Sequence, residues 1–191
     1  MKISVFGLGY VGLVSAACLA RRGHRVVGVA VAVDKVERVN AGESPIVEAE
    51  VGEIIRKAVE GGRLRATIDP ADAVQGSDVA FICVGTPSRA DGSMETAYLE
   101  KVAGEIGLAL RHRASEFLVV VRSTVLSGTV RNLVVPVLEE RSSGRAGDDF
   151  DVVFHPEFLR EGSSVWDFDH PSVIVVGEHR DGAAAPLAVA V

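Results

Sequence analysis

Three glycines near the amino terminus, Gly7, Gly9 and Gly12, follow a short apolar run and precede a helix-forming stretch, with the spacing GxGxxG. Gly7 would permit a tight strand-to-helix turn, Gly9 would let a pyrophosphate approach the backbone, and Gly12 would let helix and strand pack closely. The free N–H groups at the helix start would then face the phosphates. The spacing predicts a dinucleotide-binding turn; a purely structural turn and a flavin site are the alternatives.

The second predicted strand lacks a partner for the adenosine ribose. In dinucleotide-binding folds this strand ends in an acid, about twenty residues after the glycines, which binds the ribose 2′-hydroxyl. Here the residue is Ala30, and the nearest carboxylate, Asp34, is interpreted as a cap of the next helix. Losing this contact is expected to cost about 1.5 to 3 kcal/mol, or roughly one to two decades of cofactor affinity.

Polar side chains also follow three later apolar runs, at 83–87, 122–125 and 155–162. Ligands of an open parallel sheet lie outside the carboxyl ends of its strands, so these segments are candidates for the site. In the last of them, Glu157 and Glu161 would share a face of a helix, where one could pair with a neighbouring arginine. A role facing the substrate is favoured over a solvated ion pair.

Strand-like and helix-like runs alternate along the chain. This order predicts an α/β fold of the Rossmann type: a doubly wound, mostly parallel six-stranded sheet with helices on both faces, in a single domain spanning 1–191. A short strand at 64–67 is expected at one edge. The predicted strands are 3–6, 26–29, 79–84, 117–121, 152–155 and 173–176, and the predicted helices are 10–22, 35–40, 48–60, 97–110 and 129–140.

Composition narrows the possible partners. The 191 residues are 48% hydrophobic and 24% charged, with a formal net charge of −6, which argues against nucleic acid or a membrane surface as partner. No apolar run is long enough to span a membrane, and no signal peptide precedes the first strand. Cys18 and Cys83 suggest buried, reduced thiols and no metal cluster, as in a cytoplasmic protein.

Five motifs, taken in order, closely resemble the UDP-glucose/GDP-mannose 6-dehydrogenase family, in the NAD-binding part of its architecture. They are 6–12 (Phe-Gly-Leu-Gly-Tyr-Val-Gly), 44–48 (Ser-Pro-Ile-Val-Glu), 83–87 (Cys-Val-Gly-Thr-Pro), 122–125 (Arg-Ser-Thr-Val) and 156–161 (Pro-Glu-Phe-Leu-Arg-Glu). The resemblance implies oxidation of a sugar C6 alcohol to a carboxylate, with two hydride transfers to NAD and a thioester on a cysteine. Segments 122–125 and 167–171, with Ser172 following, look most like GDP-mannose 6-dehydrogenase, with UDP-glucose as the next candidate substrate.

The resemblance also assigns cofactor residues. Beside Gly7, Gly9 and Gly12, it implies that Tyr10 and Val11 lie over the pyrophosphate. It places Lys35 toward the adenosine, and Thr86 and Thr124 near the ribose and nicotinamide.

The remaining site residues are assigned to the sugar. Glu157, Phe158, Leu159 and Glu161 are the implied substrate residues. Glu161 and Thr124 are the catalytic candidates, and Glu161 would handle water or protons during thioester hydrolysis. A carboxylate in a water-poor pocket can act as a general base if burial raises its pKa.

Three features depart from the family pattern. Ala30 replaces the ribose-binding aspartate, and His155 stands where a small polar residue is usual and is interpreted as structural. The nucleophilic cysteine and the substrate-binding lysine and asparagine of the family belong to later motifs that the 191 residues do not contain.

The leading hypothesis is therefore that the chain is the NAD-binding half of a nucleotide-sugar dehydrogenase of polysaccharide biosynthesis, with little activity alone. A truncated, non-catalytic nucleotide-binding module is the alternative. Full-length family members are homo-oligomers, and the sequence does not determine the oligomeric state of this chain.

Overall fold

The computed structural model describes residues 1–113, 116–178 and 181–183. These residues contain a seven-stranded sheet with helices on both faces, which confirms the predicted Rossmann-type, doubly wound α/β fold. The strands are β1 (Lys2–Phe6), β2 (Arg25–Val29), β3 (Leu64–Thr67), β4 (Val79–Ile82), β5 (Leu118–Val121), β6 (Asp151–Phe154) and β7 (Gly177–Glu178). The helices are α1 (Tyr10–Arg21), α2 (Val33–Asn40), α3 (Val51–Glu60), α4 (Pro70–Gln75), α5 (Ala97–Leu110), α6 (Val135–Ser142) and α7 (Ser164–Asp169).

The strand order is β3-β2-β1-β4-β5-β6-β7, with β1 to β6 parallel and β7 antiparallel. The order reverses between β1 and β4, so the loops after these two strands diverge and leave a crevice at their carboxyl ends. The helices that connect the parallel strands cover one face of the sheet or the other. The topology therefore creates the position for a ligand before any side chain is considered.

Both faces of the sheet are buried, which explains why the strands are apolar on both alternations. Ile3 and Val5 of β1 pack toward α1 and α3, whereas Phe6 faces the layer of α4, α5 and α6. In α5, buried side chains recur every three or four residues, as expected for a helix with one face on the sheet. The two apolar layers hold the strand ends in fixed positions.

The sheet has seven strands rather than six, and its last strand was predicted in the wrong place. The apolar run 173–176 is not a strand; its four side chains are 38% to 60% exposed, and the short antiparallel strand lies at Gly177–Glu178. An apolar run forms a buried strand only when neighbouring layers cover both of its faces. The run 173–176 is instead exposed to solvent.

Several helix boundaries also differ from the prediction. The predicted helix 129–140 is a π-helical turn, Val130–Val134, that continues into α6. Pro136 stands in the first turn of α6 and has no N–H to donate to the preceding turn, which explains the change in hydrogen bonding. The sequence did not predict α4, whose start is capped by Asp69, or α7.

The prediction that Asp34 caps a helix was wrong. The N-cap residue of α2 is Ala32, and no side chain caps it. Asp34 lies in the first turn of the helix, because α2 begins at Val33, two residues earlier than predicted. Its carboxylate still complements the helix dipole.

Candidate functional site

A cavity of about 630 Å³ lies at the carboxyl edge of the sheet, where the strand order reverses. Its walls come from the segments that follow β1, β2, β3 and β4, including the first turn of α2, and from one side of α5. This is the position in which open α/β sheets bind nucleotides. The lining residues are Phe6 to Gly9, Val29 to Ala32, Lys35, Ile68, Pro70, Cys83 to Gly85, Tyr98, Lys101, Val102 and Glu105.

Gly7 and Gly12 allow the turn between β1 and α1 to fold tightly. Gly7 has φ +96°, and a Cβ on it would lie 2.9 Å from the carbonyl oxygen of Cys83. A Cβ on Gly12 would overlap the carbonyl oxygen of Gly7. Neither position can accept a side chain without displacing backbone, so both glycines are required for close packing of helix and strand.

Gly9 serves a different purpose. A Cβ added there would meet nothing within 4 Å, so packing does not explain the glycine. Gly9 is also the N-cap of α1, with no side-chain cap, and the first bond within the helix runs from the N–H of Leu13 to the carbonyl of Gly9 at 3.0 Å. The N–H groups of the first turn of α1, at residues 10–12, have no partner within the helix and are therefore available to an anion that approaches over Gly9.

The part of the cavity beside the end of β2 is lined by Ala30 and Lys35. Ala30 is 9% exposed at the end of β2, where its N–H donates to the carbonyl of Thr67 at 3.2 Å. Lys35 reaches back from α2, with its Nζ 3.5 Å from the carbonyl oxygen of Leu8. No carboxylate follows β2 in the cavity wall that the described residues form.

The ends of β4 and β5 are joined by hydroxyl groups. Thr86 Oγ1 donates to the carbonyl of Thr124 at 2.6 Å, and Ser123 Oγ donates to the carbonyl of Val84 at 2.6 Å. Neither threonine is among the lining residues of the 630 Å³ cavity, although Gly85, next to Thr86, is. The two bonds fix the loops that follow the strands relative to each other.

The segment after β6, residues 155–163, is not helical, so the pairing expected of Glu157 or Glu161 with Arg160 does not form. Arg160 pairs instead with Asp167 of α7, at 2.6 Å between Nη2 and Oδ1. The hydrogen bonds that Arg160 donates lower the pKa of Asp167 well below its ordinary range. Glu157 folds back on its own segment, and its Oε2 accepts from the N–H of Leu159 at 2.6 Å.

Glu48 anchors this segment from the other side. Its carboxylate accepts from the N–H of Gly162 at 2.8 Å and from the N–H and hydroxyl of Ser164 at 3.1 Å and 2.9 Å. Burial raises the pKa of Glu48, but the hydrogen bonds from Gly162, Ser164 and Tyr10 outweigh it and hold the pKa below its ordinary value. Glu48 thus joins the motif 44–48 to the motif 156–161.

Tyr10 links the glycine turn to the same segment. Its hydroxyl donates to the carbonyl of Arg160 at 3.3 Å. Burial raises the pKa of Tyr10, and the carboxylates of Glu48 and Glu161 raise it further, against a lowering hydrogen bond from Ser164. Tyr10 and Val11 contribute no lining to the 630 Å³ cavity. The tyrosine side chain therefore lies between the glycine turn and the segment 155–163.

A second cavity, of about 350 Å³, lies beside the end of β6 and contains three of the four residues assigned to the sugar. Glu157, Phe158 and Leu159 line it, and Phe158 is 53% exposed. Glu161 does not line it, and its side chain is exposed. Glu161 therefore does not lie in a water-poor pocket of the kind that the general-base role calls for.

Both cysteines are buried thiols. Burial raises the pKa of Cys18 to about 11 and that of Cys83 to about 12. A thiol with such a pKa is almost wholly protonated at neutral pH and is a poor nucleophile. Residues 1–113, 116–178 and 181–183 include no group of three metal-ligating side chains and no helix long and apolar enough to cross a membrane.

Sequence reasoning missed the contribution of α5 to the 630 Å³ cavity. Tyr98, Lys101 and Glu105 line it from this helix, and the Lys101 ammonium lies 3.8 Å from the Glu105 carboxylate. The topology contains a signal for them: α5 follows β4, the strand across the reversal of order from β1, so its inner side must border the crevice.

The sequence matches the family described as UDP-glucose/GDP-mannose dehydrogenase family, NAD binding domain, over residues 1–189. GDP-mannose 6-dehydrogenase of Pseudomonas syringae pv. syringae is 51% identical over 178 residues, which cover 93% of this chain and 41% of that protein. UDP-glucose 6-dehydrogenase AglM of Haloferax volcanii is 40% identical over 188 residues, which cover 98% of this chain and 43% of that protein. The chain thus spans less than half the length of these relatives.

The fold agrees with that of a solved relative. A crystal structure of a ternary complex of GDP-mannose dehydrogenase from Pseudomonas aeruginosa superposes with a TM-score of 0.98 at 47% identity, covering 100% of this chain and 44% of that one. Matching sequence, fold and order of motifs show that the chain belongs to the UDP-glucose/GDP-mannose dehydrogenase family and corresponds to its NAD binding domain.

Proposed function

We propose that residues 1–191 form one domain that binds NAD in the 630 Å³ cavity, as the cofactor-binding part of a nucleotide-sugar 6-dehydrogenase. The observation that carries this proposal is the turn at Gly9, where open space above the backbone coincides with the uncapped start of α1. A pyrophosphate can approach there without a steric obstacle and accept hydrogen bonds from the helix N–H groups.

The remaining cofactor contacts follow from this orientation. The adenosine lies at the end of β2 beside Ala30 and Lys35, and the nicotinamide lies toward the ends of β4 and β5, where Thr86 and Thr124 are. Tyr10 and Val11 begin α1 and offer their backbone N–H groups to the pyrophosphate. When bound, NAD would supply a hydride acceptor.

The substrate we propose is GDP-mannose, oxidised at C6 to a carboxylate, with UDP-glucose as the second candidate. Support comes from the 51% identity with a GDP-mannose 6-dehydrogenase, against 40% with a UDP-glucose 6-dehydrogenase. Glu157, Phe158, Leu159 and Glu161 would contact the sugar, and Glu161, which is exposed, would exchange protons with water. Thr124 is the second catalytic candidate, and its position after β5 places it near the nicotinamide.

Neither thiol of the chain fits the role of the nucleophile. Cys18 lies within α1 and Cys83 directly after β4, both buried and both protonated at neutral pH. A thioester step would need a thiol that these two cysteines do not supply, so this chain by itself is expected to bind ligands with little or no turnover. Two buried thiols and nucleotide ligands fit a cytoplasmic enzyme of polysaccharide biosynthesis.

Calorimetric titration of the purified chain with NAD, then with GDP-mannose and UDP-glucose, tests the proposal. We expect saturable heat with NAD and stronger binding of GDP-mannose than of UDP-glucose. The absence of heat at millimolar NAD would overturn the cofactor proposal, and tighter binding of UDP-glucose would reverse the order of substrates.

A further inference from the structure

The adenosine end of the cavity lacks the feature that makes a dinucleotide site selective for an unphosphorylated ribose. In such sites an acid at the end of the second strand binds the ribose 2′-hydroxyl. The same carboxylate would repel a phosphate at that position. Here the position is Ala30, buried in the cavity wall and held to β3 by its N–H bond to Thr67.

The charged side chains of the cavity wall favour an anion. Among the described lining residues these are Lys35, Lys101 and Glu105, two cations and one acid. Glu105 lies 3.8 Å from Lys101 and offsets its charge, whereas Lys35 is held only by a 3.5 Å bond to a carbonyl oxygen. The net charge of the wall is therefore positive, with Lys35 available to a ligand.

Neither of the two acids nearest to this part of the chain, Asp34 and Asp69, lines the cavity. Asp69 caps α4, and its Oδ1 accepts from the N–H of Ala71 at 2.9 Å. Asp34 is exposed on the first turn of α2 and does not line the cavity. Neither carboxylate replaces the missing acid in the cavity wall.

The start of α2 adds a second favourable element. This eight-residue helix begins at Val33, and its N-cap, Ala32, has no oxygen in its side chain to cap the first N–H groups. Because α2 follows β2 directly, its positive end lies at the same edge as Ala30. An anion near the ribose would meet these N–H groups and Lys35, and Asp34 in the first turn offsets part of the positive charge of the helix end.

We propose that this site accepts dinucleotides with a 2′-phosphate, so that NADP binds with an affinity similar to that of NAD. Ala30 is then the residue that removes the discrimination between NAD and NADP, and Lys35 is the cation that contacts the 2′-phosphate. This inference rests on the proposed function, since it assumes that the cavity holds a dinucleotide.

The test is calorimetric titration of the 191-residue chain with NAD and, separately, with NADP. We expect two dissociation constants within tenfold of each other. Binding of NAD more than tenfold tighter than that of NADP would overturn the inference and leave the proposed function intact. If neither cofactor binds at millimolar concentration, the proposed function fails and the inference fails with it.

Two variants localise the effect. Ala30→Asp should tighten NAD, weaken NADP and shift the ratio of their dissociation constants by at least tenfold. Lys35→Gln should weaken NADP about tenfold more than NAD, and it tests the same site if the first variant does not fold. Lys57→Gln, at an exposed lysine of α3 paired with Glu53, is the control and should leave the ratio unchanged. An unchanged ratio in both cavity variants would overturn the assignment.

Discussion

Arg122 Nη1 donates a 2.6 Å hydrogen bond to His155 Nδ1, and both side chains are only 5% exposed. The pair joins the residue after β5 to the residue after β6, beside the 350 Å³ cavity. Since Nδ1 accepts this bond, the proton of the neutral imidazole is on Nε2, which has no hydrogen-bond partner among the described residues. His155 therefore positions the start of the segment 155–163 as a neutral acceptor, which agrees with the structural interpretation of this histidine.

Because of His155, the free energy of unfolding should depend on pH in the mildly acidic range. Burial, and then the charge of Arg122, lower the pKa of His155 from 6.5 to about 4. The unfolded chain binds more protons in that interval, so the free energy of unfolding should fall as the pH falls from about 6.5 to 4, by at most about 3 kcal/mol.

The variant His155→Asn tests this dependence, because the amide oxygen can accept from Arg122 and does not titrate. Urea unfolding between pH 7 and 4 should show a flatter profile for this variant than for the parent. His112→Asn, at an exposed position, is the control and should retain the parent's slope. Identical slopes for parent and His155→Asn would show that the histidine is not the titrating group.

Glu48 should stabilise the segment 155–163 through its hydrogen bonds to Gly162 and Ser164. In Glu48→Gln the new amide N–H groups face donors, and the charge-assisted bonds are lost, which should cost about 1.5 to 3 kcal/mol. Urea unfolding measures the loss, and hydrogen exchange should show faster exchange at Gly162 and Ser164. Glu53→Gln, on the exposed side of α3, should have little effect on either quantity.

The same carboxylate gives a second pH dependence at lower pH. The pKa of Glu48 lies below its usual 4.5, so its contribution is fully present above that pH and is lost as the pH falls through the lowered folded-state pKa. The difference in free energy of unfolding between the parent and Glu48→Gln should therefore shrink as the pH falls from 6 to 3. A constant difference across this range would mean that the ionised form is not what Gly162 and Ser164 require.

The contrast between Glu48 and the glycine turn shows what sequence can predict. The turn is local: the three glycines, the strand before them and the helix after them follow from neighbouring residues, and the structure contains all of them. Helix α5 was also predicted with its observed bounds, because its apolar spacing is regular. The bond from Gly162 to Glu48 joins residues 114 positions apart, and no local pattern indicates it.

The arrangement after β6 was unpredictable for the same reason. The spacing of Glu157, Arg160 and Glu161 suits a helical ion pair, but Arg160 has a better partner in Asp167, which also accepts from the arginine's backbone N–H at 2.9 Å. Arg160 therefore bonds Asp167 through both its backbone N–H and its guanidinium, and these bonds hold the segment in its non-helical arrangement. Tertiary contacts thus overrode a valid local pattern.

Thr86 should hold the loop that carries Thr124. Replacing Thr86 by Val removes the 2.6 Å bond to the carbonyl of Thr124, at a cost of about 0.5 to 1.5 kcal/mol of stability. We also expect several-fold weaker binding of NAD, because both threonines are proposed to lie near the nicotinamide and ribose. Thr86→Ser retains the hydroxyl and should behave as the parent in both measurements; equal NAD affinity in the Val variant would remove Thr86 from the proposed cofactor contacts.

Gly9 and Gly12 should respond differently to the same added methyl group. In Gly12→Ala the Cβ overlaps the carbonyl of Gly7, so helix and strand must separate, and overpacking of this kind costs about 1 to 3 kcal/mol. In Gly9→Ala the Cβ enters open space, and the backbone φ of −78° suits alanine. Thermal unfolding should therefore show a lowered midpoint for Gly12→Ala and a nearly unchanged one for Gly9→Ala.

For cofactor binding, in contrast to stability, we expect the larger effect from the substitution at Gly9. The methyl group of Gly9→Ala occupies the space that the pyrophosphate needs, so we expect at least tenfold weaker NAD binding by a protein that is otherwise as stable as the parent. Calorimetry with NAD measures this directly, and the unchanged unfolding midpoint is the internal control. If Gly9→Ala binds NAD as tightly as the parent, the pyrophosphate does not pass over Gly9, and the open space there needs another explanation.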